Sequence, residues 1–275
     1  MTITYLDVET TFMVGENRRT DPSPFNSNNK LVSVQYSHDN GPIQFNWFYH
    51  KDMDEMASEL TVGESFNLVQ DVLDNTTVLI GHNIKFDLMW LWESGFNYDG
   101  QVYDTMIGEY TLLRGQKWGL SLADSCIRRK VAMKKSDLTH DYLKDGIGFD
   151  AMPMDTVQEY GIADIESTKQ LHLAQEEIFK NSHNSPMRKH LALMNKFLPI
   201  LAVIERNGIK IDFTTLEKVR VDYEIEQKDL KAKMEEICRE VMGDTNVNFA
   251  SPEQVSQLIY SRKVIDKKKW AEAFN

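Results

Sequence analysis

The sequence predicts an α/β layered domain followed by a small all-helical segment. Strand and helix signals alternate up to about residue 183, whereas from Pro186 onward the pattern is purely helical. Composition agrees with a folded chain: 41% hydrophobic and 27% charged residues with only 7 Pro and 14 Gly exclude collagen-like, mucin-like and largely disordered classes. A length of 275 residues accommodates one medium domain plus a smaller one. The boundary is expected at the polar stretch Asn181–Pro186, giving segments 1–183 and 184–275.

In chain order, Ile3–Glu9 reads as a strand, and an insertion rich in Asn, Ser and Pro (Arg18–Lys30) separates it from a second, Leu31–Ser37. Asp39-Asn40-Gly41 supplies hairpin turn chemistry before the apolar run Ile43–Tyr49. Thr77–Ile80 is a short apolar strand ending at Gly81. The near-continuous apolar content of Asn83–Glu93 then predicts a buried helix. Further helices are expected at Thr105–Leu113, Leu120–Arg128 and Thr156–Lys180. In the second segment, Met187–Arg206 stops at Asn207-Gly208, a helix-ending pair. A long Glu/Lys-dense helix, Thr214–Met242, follows. Ser251 and Pro252 then open a last amphipathic helix as N-cap and first-turn residues.

Net charge is −11, which taken alone argues against binding to nucleic acid. The distribution is uneven. Residues 1–183 carry 15 Lys/Arg against 28 Asp/Glu, and residues 184–275 carry 16 against 14. Within the acidic part, Arg114, Lys117, Arg128, Arg129, Lys130, Lys134 and Lys135 face a single acid, Asp124. Such a run is either a solvated face or a local phosphate track, with Trp118 available for base stacking. Two cysteines, Cys126 and Cys238, are too few for a disulfide scaffold, so a reducing cytoplasm is expected. No stretch approaches the roughly 18 apolar residues of a membrane span, so no membrane partner is expected.

Four acids sit where burial is expected. Strand alternation puts Tyr5, Asp7 and Glu9 on one face of the first strand and Leu6 and Val8 on the other. Asp87 lies four residues after Asn83 in the apolar helix, and Asp164 interrupts the stripe Val157, Tyr160, Thr168, Leu171. A charge on a core face is costly unless paired or bound to metal, and four such acids suggest hard divalent cations, Mg²⁺ or Mn²⁺. Each also has a plainer reading: a solvated strand end, a backbone acceptor, a partner for an arginine. Asn83 fits a helix N-cap, and Tyr160 a half-buried aromatic anchor.

Order and context add to these short patterns. Tyr5-Leu6-Asp7-Val8-Glu9-Thr10, Gly81-His82-Asn83-Ile84-Lys85-Phe86-Asp87 and Tyr160-Gly161-Ile162-Ala163-Asp164 resemble the three exonuclease motifs of the DEDD superfamily, in its tyrosine-bearing branch. The position where the histidine branch carries its base is Glu159. Val102–Met106 and Trp118–Ala123 resemble the segments that family carries between its second and third motifs. Beyond residue 180, Leu198–Ile209 with Asp212, and Val247–Gln254, resemble the entry to the thumb of family A DNA polymerases.

The resemblance implies a ribonuclease H-like fold, a mixed sheet flanked by helices. It also implies a proofreading 3′-5′ exonuclease that hydrolyses DNA from the 3′ end to nucleoside monophosphates. Two divalent ions, Mg²⁺ or Mn²⁺, would sit about 4 Å apart at the scissile phosphate. Asp7 would bridge them, Glu9 and Asp164 would hold one, and Asp87 the other. Tyr160 would orient the attacking water. Asn83 would contact the terminal nucleotide; Thr10 and His82 flank the motifs as further substrate contacts; Arg128, Arg129 and Trp118 would hold the single strand. The expected partners are a single-stranded or frayed 3′ end and a separate polymerase polypeptide, because palm and finger motifs have no counterpart here and no polymerase activity is expected from this chain. With its motifs starting at Met1 the layout is similar to phage enzymes, acting in the host cytoplasm. Two alternatives stay open, an exoribonuclease of the same superfamily and a non-catalytic scaffold. In the metal reading, the acidic balance and the bound cations offset one another at the one place a phosphate must sit.

Overall fold

The first strand, β1 (Ile3–Thr10), is the centre of the molecule's main sheet. A computed structural model describes residues 2–14, 20–53, 55–131, 137–243 and 247–260. After β1 come the two-residue strands β2 (Met13–Val14) and β3 (Thr20–Asp21), which pair with each other. β4 (Leu31–His38) and β5 (Ile43–Trp47) form the expected hairpin. Its turn residues Asp39 and Asn40 both take positive φ, 46° and 62°, the twist-matched geometry that Asn and Asp tolerate.

Helix α1 (Glu55–Asp74), β6 (Val78–Gly81), α2 (Ile84–Glu93) and β7 (Gln101–Asp104) follow, then α3 (Thr105–Leu113), α4 (Leu122–Arg129), α5 (Asp137–Lys144) and α6 (Met154–Lys180). The five-stranded order is β5-β4-β1-β6-β7. β4 and β5 run antiparallel to β1, and β6 and β7 run parallel to it. This is the mixed sheet flanked by helices that the resemblance implies. Among the described residues no helix is long and apolar enough to cross a membrane.

The sheet is covered on both faces, so β1 is buried on both. Leu6 and Val8 join Leu79, Ile84, Leu88 and Val69 in one core, while Tyr5 packs with Val78, Ile80 and Ile165 of α6 in the other. The Tyr5 hydroxyl meets His172 Nδ1 at 3.0 Å, which fixes the rotation of α6 over β1.

Five elements were not expected from sequence: the two-residue strands β2 and β3, α1, β7 and α5. In α1 the residues that pack on the core, Phe66, Val69, Val72 and Leu73, all lie in its second half, so only a short stretch carries the helical period. Residues 101–104 and 137–144 are too short for periodicity to register. α4 starts at Leu122 rather than Leu120 because Ser121 caps it, accepting from Asp124 N at 3.1 Å.

The chain divides into two compact units, Met1–Gly208 and Ile209–Asn275. Helix α7 (Met187–Asn207) lies past the compositional boundary at 181–186, yet it belongs to the first unit. It buries Leu191, Asn195, Leu198 and Ala202, and Asn195 Oδ1 accepts from Asp104 N of β7 at 3.2 Å. In the second unit, Asp212 caps α8 (Phe213–Met242) by accepting from Thr214 N and Thr215 N, and α9 is Pro252–Tyr260. Ser251 Oγ accepts from Gln254 N at 3.4 Å, as the sequence predicts for that helix start.

Candidate active site

The candidate site lies at the C-terminal half of β1. β6 pairs with β1 only at Ile3, Thr4 and Tyr5, so beyond Tyr5 one side of β1 loses its strand neighbour. Helix α2 takes over there. Asp87, on its first turn, accepts a hydrogen bond from Val8 N at 3.0 Å. The other side of β1 stays paired with β4, where the register slips between Glu9 and Thr10 so that Thr10 faces Leu31. Such bulges re-aim neighbouring side chains and are common beside active sites.

On the opposite face, α6 buries the stripe Val157, Tyr160, Asp164, Thr168 and Leu171, as its spacing predicts. Asp7, Glu9 and Asp164 converge: one carboxylate oxygen from each lies within 4.8 Å of the others. Glu9 and Asp164 are buried and Asp7 is half-buried. Three carboxylates at this spacing offer only hard oxygen donors, the set that suits Mg²⁺ or Mn²⁺. Asp87 is fully buried beside this trio. Burial first, and then the negative charge of Asp7, push its carboxyl well above the usual carboxylate range, against the pull of Val8 N–H. Tyr160 is buried with its ring 5.6 Å from Phe149.

A second buried acid, Asp104, shapes the approach. Its Oδ1 accepts from Met106 N at 2.8 Å, capping α3, and from Asn83 N at 3.0 Å. This bond anchors Asn83 in the left-handed region, φ 65° and ψ 41°, at the start of α2. The Asn83 side chain makes no capping bond and is exposed, so the N-cap reading is not realised in its usual form. Burial pushes the Asp104 carboxyl up to about 6.

Raised carboxyls make a signed prediction. Between the ordinary value of 3.8 and about 6, folded Asp104 holds more protons than the unfolded chain, and Asp87 is displaced in the same direction. Stability without metal is therefore expected to fall as pH rises through this window. A cation at the cluster favours the charged forms and reverses the trend. The rise in melting temperature on adding Mn²⁺ should be larger at pH 8 than at pH 5; a rise that shrinks with pH would refute it.

The remaining sequence-predicted contacts divide. Thr10 is buried at the β1 bulge. His82 bridges two segments: its Nε2 donates to Leu120 O at 2.9 Å and its Nδ1 lies 2.9 Å from Thr105 Oγ1. Trp118 is exposed at 59%, consistent with a stacking surface. Arg128 and Arg129 correct the sequence reading. Both guanidinium groups are committed to Glu109, at 2.8 and 2.7 Å, and Glu109 is wholly buried. Elsewhere in the run at 114–135, Arg114 bonds Asn184; Lys134 and Lys135, like Arg18 of the insertion, fall outside the described residues.

The sequence model of the 3′-5′ exonuclease family matches residues 20–177, more than half of the chain; Asp7 and Glu9 precede the matched stretch. DNA polymerase I of Borreliella burgdorferi is 24% identical over 198 residues, 70% of this chain and 20% of that protein. The DNA polymerase of Bacillus phage SP01 is 25% identical over 224 residues, 78% of this chain and 23% of that protein. The chain thus spans about a fifth of the length of the curated relatives it matches. Among solved structures, the POL domain of Pol1 from M. smegmatis, in complex with DNA primer-template and dNTP, superposes with TM-score 0.55. It is 15% identical and covers 94% of this chain and 36% of its own. Brucella melitensis NrnC gives TM-score 0.51 at 20% identity, covering 75% of this chain and 85% of its own. These structural likenesses carry the fold.

Proposed function

The chain belongs to the 3′-5′ exonuclease domain family of the family A DNA polymerases, and from that premise we propose that it shortens DNA from the 3′ end by hydrolysing the terminal phosphodiester. The observation that carries the reading is the convergence of Asp7, Glu9 and Asp164 within 4.8 Å beside buried Asp87. Two divalent cations on these carboxylates would neutralise phosphate charge and polarise a water, the chemistry a bound metal supplies to phosphoryl transfer.

The protein's own residues do the rest. Asp7 belongs to the cluster with Glu9 and Asp164 and also lies near enough to raise the Asp87 carboxyl, so it is the ligand best placed to serve both cations. Tyr160 precedes Asp164 by one helical turn on the same stripe, which sets its hydroxyl to orient an attacking water. A tyrosine ordinarily titrates near 10, so orientation rather than proton abstraction is its role at neutral pH. Exposed Asn83 and Trp118 would meet the terminal nucleotides. The part of the reaction that proofreads for a polymerase belongs to the proposal too, with the missing polymerase portion supplied by another polypeptide or another part of a longer chain.

The test uses a 5′-labelled single-stranded DNA, a duplex with a frayed 3′ end, and a matched RNA, each with Mg²⁺ or Mn²⁺. Stepwise shortening of both DNAs with release of nucleoside monophosphates is expected. DNA left uncut sinks the proposal, and preferential shortening of the RNA moves it to the exoribonuclease alternative. Tyr160→Phe should lower kcat by ~10²-fold, the low end for a positioned proton-handling group, while leaving KM for DNA unchanged. An unchanged kcat would return Tyr160 to a packing role.

A further inference from the structure

Strand β4 carries polar side chains where a strand covered on both faces ordinarily carries aliphatic ones. Ser33, Gln35 and Ser37 alternate along it and all are 0% exposed. Two of them sit directly across from the acids of β1: Gln35 opposite Asp7, and Ser33 opposite Glu9. The pairing is chemical as well as geometric. Gln35 Nε2 donates to Asp7 Oδ2 at 2.6 Å, and Ser33 Oγ donates to Gln35 Oε1 at 3.1 Å. The serine hydroxyl can donate or accept, whereas an ionised carboxylate only accepts, so Asp7 decides which way round the amide stands: the NH₂ end, not the oxygen, faces the carboxylate.

The other side of the same amide touches α6. A Cβ built on Gly161 would come within 2.9 Å of Gln35 Cδ, 3.0 Å of its Nε2 and 3.0 Å of Phe45 Cε2. Only glycine lets the helix lie this close. Gly161 follows Tyr160 and precedes Asp164 by three residues, so Gln35 is wedged between the strand bearing Asp7 and the helix turn bearing Tyr160 and Asp164.

We propose that Gln35 is a positioning residue that holds the Asp7 carboxylate in one orientation and gauges its distance from α6, and so sets the divalent-cation affinity of the cluster. The inference rests on the reading of Asp7 as a cation ligand. Hydrogen bonds from outside a metal's ligand shell fix the orientation of ligating carboxylates.

The experiment titrates Mn²⁺ alone, without DNA, into the wild-type chain and the Gln35→Met variant, which keeps side-chain length and removes the donor. Mn²⁺ binding is expected to weaken by ~10- to 100-fold, the usual range for lost outer-shell bonds. At limiting Mn²⁺, kcat on the labelled oligonucleotide should fall and then recover as Mn²⁺ is raised, with KM for DNA constant. A purely structural role would lower the melting temperature without this metal dependence. Mn²⁺ affinity within about twofold of wild type in the folded variant overturns the proposal. Where Gln35→Met does not fold, Gln35→Leu decides: it is smaller and also lacks the donor, so weaker Mn²⁺ binding supports the proposal and unchanged binding overturns it. A wild-type chain that binds Mn²⁺ but leaves DNA whole would refute the exonuclease reading and leave the Gln35 comparison intact. Equal affinities with active enzyme would do the reverse.

Discussion

Asp7→Ala is expected to slow removal of 3′ nucleotides by at least ~10³-fold, because a ligand placed to serve both cations contributes several kcal/mol to the barrier and each 1.36 kcal/mol is tenfold. The same substitution should change the melting temperature without metal only slightly, the hydrogen bond lost from buried Gln35 being offset by relieved repulsion. Asp7 lies in a cluster with Glu9 and Asp164, and its charge helps raise the Asp87 carboxyl, so its removal relieves repulsion among like charges. Two measurements on one variant separate chemistry from folding: nucleotide release at neutral pH with Mn²⁺, and thermal melting in chelator. Loss of activity accompanied by a large loss of stability would place Asp7 in the architecture instead.

Glu109→Gln is expected to produce the largest stability change. Glu109 is 0% exposed, and its two oxygens take Arg128 and Arg129 while Gln175 Nε2 donates to Oε1 at 3.0 Å. Burial alone would raise its carboxyl, but the hydrogen bonds from Arg129, Gln175 and Arg128 outweigh it and hold the group below the usual range. Removing one member of a buried ionic cluster leaves the others uncompensated and costs about 3 kcal/mol or more. In a unit of this size that corresponds to a fall in melting temperature of about 6–12 °C. A depressed carboxyl contributes stability above its unfolded value and loses it as pH falls through its folded one. The gap between wild type and variant should therefore narrow in acid. A melting temperature unchanged at pH 7 would show that the arginines find other partners at no cost.

These two acids mark the reach of the sequence. Asp7 is legible because alternation along one strand puts it with Glu9 on the face away from Leu6 and Val8, and Asp164 because it breaks an apolar stripe at helical spacing. Both signals are local. Glu109 is invisible for the opposite reason: it stands 19 and 20 residues from its arginines, and only the packing of α3 against α4 and α6 brings them together. The arginines themselves, read along the chain, look like part of a phosphate-binding run. Gln35 is missed likewise, since its partner lies 28 residues away across a strand pair. Asn83 shows a third limit: its place before a helix is readable, but its left-handed backbone depends on Asp104, 21 residues downstream. Fold class, the strands β1, β4, β5 and β6, and the converging carboxylates follow from short-range pattern; the bonds that orient them follow from topology.

The topology also decides when the cluster can form. β1 precedes its sheet partners in the chain but is the middle strand, and those partners arrive late. Residues 31–38 pair on one side, 78–80 on the other, and Asp164 joins 157 residues after Asp7. Loop closures of that length are the slow steps of folding. A nascent or truncated chain that stops short of α6 holds two acids of the cluster and not the third, whatever else it has folded. No local segment can assemble the cluster by itself, so the three carboxylates meet only when the domain through α6 is complete.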